Sequence, residues 1–305
     1  MSEVLTAILV MGGIAFLLAL ALIWSSRKFY VAENPLVDEI ASLLPQANCG
    51  ACGYPGCSGF AKVLVETQDP KMVCPVATKE KLKEIGRLAG IEVSEREPMV
   101  AALHCRGTRS NVKTASEYVG IRSCIAAHSL YSGDKMCMYS CIGYGDCMKV
   151  CMFGAIHVDD GIAVFNPEKC TGCGMCVKTC PRKVVSLVRK RLSKVVVTCS
   201  SRDPAPVVMN QCSVGCIACG RCVRVCPKQA ITVEPGSNLA IIDDAKCVLC
   251  GKCVAECDVR NAIDGKGPVE KAVAFLREKR AKEKEEKRAA ALAAAAKPKT
   301  DGEPS

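Results

Sequence analysis

The sequence predicts an α+β chain in which small cysteine-rich units follow a single long apolar helix. Three observations carry that prediction: an uncharged stretch from Val4 to Trp24, a spaced group of cysteines from Cys49 to Cys74, and cysteine runs that recur between Cys137 and Cys257 at a period of roughly 30 residues. Between the runs lie short β-branched stretches, Ala155-Ile156-His157-Val158 and Ala230-Ile231-Thr232-Val233. Bounded by Gly, Asp and Pro, these read as hairpin strands, and the cysteine runs as loops entering short helices. A chain of 305 residues has room for two or three modules. The expected division is 1–28 for an N-terminal membrane anchor, 29–90 for a four-cysteine domain and 91–130 for a linker. Two tandem units follow at 131–195 and 196–266, then a charged, alanine-rich helix and tail at 267–305.

The anchor comes first. Val4 to Trp24 carries no charge and is long enough to cross a bilayer as a helix. A cleaved secretory signal fits poorly, because MSEV lacks a basic start, the apolar run exceeds a signal core and no small-residue cleavage site follows. Arg27 and Lys28 stand directly after the span, so the positive-inside rule predicts a single pass through a bacterial cytoplasmic (inner) membrane with the bulk of the chain on the cytoplasmic side. With no acid or base inside it, one such helix cannot form an ion path. Gly12-Gly13 would permit close packing against a partner helix. At the far end, Pro268 to Lys297 reads as a helix whose Lys/Arg and Glu alternate at i, i+4 spacing, and Pro298 to Ser305 as a disordered tail.

The cysteines carry the chemistry. Cys170-x-x-Cys173-x-x-Cys176-x-x-x-Cys180-Pro181 returns as Cys216-x-x-Cys219-x-x-Cys222-x-x-x-Cys226-Pro227. A third copy at Cys247, Cys250, Cys253 and Cys257 lacks only the proline, with Asp258 in its place. In bacterial ferredoxins this run holds [4Fe–4S] clusters, three thiolates on one cluster and the cysteine before proline on its neighbour. The first half-repeat is wider: Cys137, Cys141, Cys147 and Cys151. The crossing rule then predicts Cys137, Cys141, Cys147 and Cys180 on one cluster, with Cys151, Cys170, Cys173 and Cys176 on the next. In the second unit it predicts Cys216, Cys219, Cys222 and Cys257, then Cys226, Cys247, Cys250 and Cys253. Upstream, Cys49, Cys52, Cys57 and Cys74 lie on a glycine-rich segment suited to one isolated cluster, with zinc as the competing metal. Five [4Fe–4S] clusters are therefore expected. The i, i+3, i+6 spacing is too tight for a disulfide framework, and so many reduced thiolates belong in a reducing compartment.

Four cysteines fall outside these patterns: Cys105, Cys124, Cys199 and Cys212. They read as buried or free thiols, with Cys212 nearest to an extra ligand; a sixth cluster from these four is the alternative, although nothing in their spacing organises them as a site. His104, His128 and His157 sit in no ligand spacing. The formal charge of +10 is offset once the ligating cysteines ionise and bind iron. With six Phe, six Tyr and one Trp, base-stacking platforms are lacking, so nucleic acid is excluded as a partner. Gly143-Tyr144-Gly145 lacks the third glycine of a dinucleotide fingerprint, so the chain can pass electrons but has no place to take a hydride.

An N-terminal apolar helix, then NCGACGYPGC and a CP pair, then CIGYGDC and GCIACGRCVRVCP resembles the B subunit of the Rnf complex, over nearly the whole chain to about Asp264. The resemblance implies an electron-transport component of a membrane-bound, ion-translocating ferredoxin:NAD+ oxidoreductase, which accepts electrons from reduced soluble ferredoxin and passes them to membrane partner subunits of the Rnf type. The family's cluster ligands map onto Cys49, Cys52, Cys57 and Cys74 and onto the ferredoxin-type cysteines. Shorter members carry one two-cluster unit; this chain has two. An iron–sulfur subunit of another membrane enzyme, such as a hydrogenase or reductase, and a non-redox metal scaffold are the other function classes that the cysteines allow.

Overall fold

A computed structural model of the chain describes residues 2–29, 34–92, 97–131, 133–233 and 236–295. Helix α1 (Ser2–Lys28) has 27 residues and is long and apolar enough to cross a membrane, with none of its apolar window buried against the rest of the chain. Its length of about 40 Å, at 1.5 Å per residue, exceeds the hydrocarbon core of a bilayer. At its end the Lys28 ammonium stands 4.8 Å above the Trp24 ring, a pairing suited to a membrane–water boundary.

A three-helix unit comes next, made of α2 (Pro35–Leu43), α3 (Gly56–Thr67) and α4 (Lys79–Ala89). Asn34 starts α2 by accepting the Leu36 N–H, with Pro35 pre-set for the first turn. Thr78 starts α4 in the same way, accepting from Lys81. Ile40, Leu44, Phe60, Leu64 and Ile85 are buried between the three helices, each contributing about 1.5–3 kcal/mol by leaving water. The loop between α2 and α3 carries the first cysteines.

The remaining two units share one topology. The first runs β1 (Met99–Leu103), α5 (Cys124–Tyr131), α6 (Asp146–Lys149), β2 (Ile156–Asp159), β3 (Ile162–Phe165), α7 (Met175–Thr179) and β4 (Val185–Arg189). The second runs β5 (Val195–Val197), α8 (Ala205–Gln211), α9 (Arg221–Arg224), β6 (Ile231–Val233), β7 (Ala240–Ile242), α10 (Lys252–Glu256) and β8 (Ile263–Gly265). In each, the outer strands pair antiparallel, Ala101 opposite Leu187 and Val196 opposite Asp264. The inner hairpin pairs likewise, His157 opposite Val164 and Thr232 opposite Ile241. The stretch expected as a linker, 91–130, instead supplies β1 and α5 to the first unit. Its β-branched signal is weak (MVAAL), and only pairing with β4 reveals it as a strand.

The two units are tied across their junction. His104 bonds through its ring nitrogens to the Val197 carbonyl at 2.9 Å and the Ser186 hydroxyl at 2.7 Å, and Ser200 donates to the His104 carbonyl. The Lys113 N–H donates to Gln211 and the Ser213 N–H to Asn111, around an isolated bridge between Val112 and Cys212. Helix α11 (Pro268–Ala295) docks its first turns on α10, burying Val269 and Val273, while Arg280 bonds the Ala255 carbonyl and pairs with Glu256. The tail expected as disordered, Pro298 to Ser305, lies outside the described residues.

Local backbone explains the cysteine runs. The residue before the second cysteine of each run is left-handed: Gly172 (φ +71°), Ala218 (φ +52°) and Leu249 (φ +59°). Because Ala218 and Leu249 carry side chains there, left-handedness alone does not demand glycine at 172. Close approach does: a Cβ on Gly172 would drive into the Met99 carbonyl of β1, next to the point where the Ala101 N–H donates to Cys170 Sγ. Gly172→Ala is therefore expected to destabilise the folded chain by about 2 kcal/mol or more, lowering its anaerobic melting midpoint by roughly 5 °C. An unchanged midpoint would show that β1 does not pack against this run.

Candidate metal centres

Three groups of four cysteines each line one cavity among the described residues. In the three-helix unit, Cys74 is buried and its thiol is raised by that burial, with Cys52 and Cys49 adding repulsion. Cys52 and Cys57 pack against the same core. The loop is fixed by Asn48, whose side-chain oxygen accepts the Cys57 N–H at 2.8 Å. Glycine at 56 makes room for it, since a Cβ there would lie 2.9 Å from that oxygen.

In the second unit the crossing rule matches the geometry. Cys226, Cys247, Cys250 and Cys253 line one cavity of about 370 Å3. Cys222 is pushed up to about 11 by burial and then by Cys216, Cys219 and Cys257, which places those four together. In the first unit, Cys176 is pushed up to about 12 by burial, followed by Cys170, Cys173 and Cys151, again as the rule predicts.

The wide first half-repeat departs from the rule. Cys141, Cys147 and Cys180 line a cavity of about 370 Å3 with Cys124, not with Cys137. The reason is the N-terminus of α5. Asp146 accepts the Ser123 hydroxyl at 2.7 Å and the Ile125 N–H at 3.1 Å, holding Cys124 beside Cys147. Burial works to raise the Asp146 carboxyl, but those two hydrogen bonds and Lys149 hold it below the usual carboxylate value. Cys137, expected in this set, lines a different cavity with Cys105, Cys199 and Cys212. Spacing did not group Cys124 with these three because it lies 17 positions before Cys141, in another element; the irregular C-x3-C-x5-C spacing is the one sign in the sequence that this set differs from the others.

The crossing cysteines share a backbone device. Cys151, Cys226 and Cys257 each accept an N–H from a residue just downstream: Ala155 at 3.4 Å, Ala230 at 3.2 Å and Ala262 at 3.3 Å. Such bonds favour the thiolate over the thiol and tune a bound cluster. Among the described residues, no three His, Cys, Asp or Glu side chains are set to grip one ion; where four cysteines converge they line a cavity instead.

The sets adjoin one another. Cys49 is among the groups raising Cys173, Cys176 among those raising Cys147, and Cys222 among those raising Cys253. One cavity spans Cys74, Thr78, Met99 and Cys170, so the three-helix unit faces the first two-hairpin unit at that point.

Comparison with known proteins agrees. A family model described as "Putative Fe-S cluster" matches residues 44–76. One described as "4Fe-4S dicluster domain" matches 140–184 and 215–262, and a second of the same description matches 169–230. The B subunit of an ion-translocating oxidoreductase complex from Methanosarcina acetivorans is 42% identical over 70% of this chain and 81% of its own length. The B subunit of the Na(+)-translocating ferredoxin:NAD(+) oxidoreductase complex of Acetobacterium woodii is 35% identical over 90% of this chain and 82% of its own. The chain belongs to the family of ion-translocating oxidoreductase complex B subunits. A proton-translocating relative from Clostridium ljungdahlii is 37% identical over 80% of this chain and 85% of its own length. As a member, this chain is a membrane-associated [4Fe–4S] electron-transfer protein that works alongside the other subunits of its complex.

Lys135 is the main buried cation among the cysteines. Its ammonium donates to the carbonyls of Gly107 at 2.8 Å, Cys141 at 2.9 Å and Gly161 at 2.6 Å. Burial lowers its pKa, with Cys105 and Cys141 acting to keep it charged. Lys135→Met would leave three carbonyls without that donor and should cost about 3 kcal/mol or more. Anaerobic chemical denaturation measures it, and a variant within 1 kcal/mol of the parent would contradict this role.

Proposed function

We propose that this chain is the electron-accepting subunit of a ferredoxin:NAD+ oxidoreductase complex, oxidising reduced soluble ferredoxin and delivering single electrons to membrane partner subunits. The observation that carries this reading is the adjacency of four-cysteine sets within each two-hairpin unit, and between the first of these units and the unit that follows α1. Five sets hold [4Fe–4S] clusters: Cys49, Cys52, Cys57 and Cys74; Cys124, Cys141, Cys147 and Cys180; Cys151, Cys170, Cys173 and Cys176; Cys216, Cys219, Cys222 and Cys257; Cys226, Cys247, Cys250 and Cys253. When bound, these clusters supply one-electron carriers of low potential.

The chain's own residues do the rest. Cys222 and Cys253 are buried, whereas Cys219 is exposed, so the second unit presents one of its sulfurs at its surface. That surface receives the soluble donor. Helix α1 crosses the membrane once, with Arg27 and Lys28 on the cytoplasmic side, and keeps the Cys49 set near the membrane partners. No nucleotide fingerprint is present in the sequence and no ionisable group lies between Val4 and Trp24, so NAD+ reduction and Na+ or H+ transport fall to those partners.

The test uses the intact complex, purified without oxygen. With Cys173→Ser, iron should fall by the four atoms of one cluster and ferredoxin-dependent NAD+ reduction by roughly tenfold or more. NAD+ reduction at the parental rate would overturn the relay.

A further inference from the structure

One four-cysteine cavity is absent from the five sets above. Cys105, Cys137, Cys199 and Cys212 converge at the junction between the two two-hairpin units, around a space of about 360 Å3. A cavity of the same kind is lined by Cys226, Cys247, Cys250 and Cys253, the set with regular ferredoxin spacing. The four come from four separate segments: after β1, before α6, after β5 and at the end of α8. No spacing rule could therefore unite them.

We propose that Cys105, Cys137, Cys199 and Cys212 hold a sixth [4Fe–4S] cluster, which joins the electron paths of the two two-hairpin units. The proposal rests on the relay reading above and extends it. Backbone N–H groups serve the first of these sulfurs, as they serve the crossing cysteines. Cys105 Sγ accepts from Gly107 and from Cys141, both at 3.3 Å.

The surroundings supply positive charge and rigidity. Arg182 donates to the Cys137 and Ser140 carbonyls at 3.0 and 2.9 Å. Arg260 bonds the carbonyls of Gly215 and Cys212. The bridge between Val112 and Cys212 pins the far side.

Position gives the site its role. Cys105 is among the groups raising Cys141, in the last set of the first two-hairpin unit, and Cys216 is among those raising Cys199, in the first set of the next. Without a carrier at the junction, the two halves of the relay would be joined only through protein. The count closes as well: the sequence has 24 cysteines, and a sixth set of four leaves none over. Even the dicluster match begins at residue 140, past Cys137.

Iron and acid-labile sulfide, measured on the full chain produced and purified without oxygen, test the assignment. Six clusters give about 24 irons per chain and five give about 20. The proposal expects the higher count, with Cys199→Ser lowering it by about four while the reduced protein keeps its remaining cluster signals in electron paramagnetic resonance. About 20 irons in the parent, or 20 with one zinc, overturns the sixth site, as does an unaltered count in Cys199→Ser. Cys173→Ser serves as the control. If it loses four irons while Cys199→Ser loses none, the sixth site fails alone; if neither loses iron, the cysteine sets of the relay fail with it. Should Cys199→Ser not fold, the parental count together with Cys212→Ser decides between the same outcomes.

Discussion

Four sulfurs cannot share a buried cavity as thiolates unless metal charge sits among them. Burial raises the thiols of Cys147, Cys176, Cys199 and Cys253 to about 12, and neighbouring cysteines add to each. A cation inside the set reverses that balance and turns mutual repulsion into shared ligation. The apolar core is divided into three clusters, and cysteines form part of each.

Around that constraint the chain repeats one solution. Outer strand pair, inner hairpin and two short helices recur in both two-hairpin units, and three of the crossing cysteines accept an N–H from just downstream. Repetition sets a four-cysteine cavity in each unit, which suits the relay of single electrons. The three-helix unit solves the same problem with a different scaffold, a glycine loop clamped by Asn48. It faces the first two-hairpin unit close to Cys170, on the same end of the chain as the apolar helix.

Much of this was legible in the sequence, and the failures have physical causes. Regular C-x2-C-x2-C-x3-C runs specify both a local loop and its partner cysteine, so the sets at 151–176 and 216–257 follow from spacing alone. The apolar stretch at 4–24 was equally plain, because its signal is long and uninterrupted. Cys124 and Cys137 were misplaced for a shared reason: their neighbours are fixed by the Asp146 cap and by the junction, both long-range. Residues 91–130 read as a linker because MVAAL is short and weakly β-forming; its strand exists through pairing with Val185–Arg189.

The central claim is that thiolate-held clusters succeed one another closely enough to interact. Electron paramagnetic resonance of the intact chain, followed during stepwise reduction, addresses it directly. Adjacent reduced clusters should broaden and split one another's signals as the later electrons enter. Separate, unbroadened signals throughout the titration, or no low-potential signal at all, would contradict a contiguous relay.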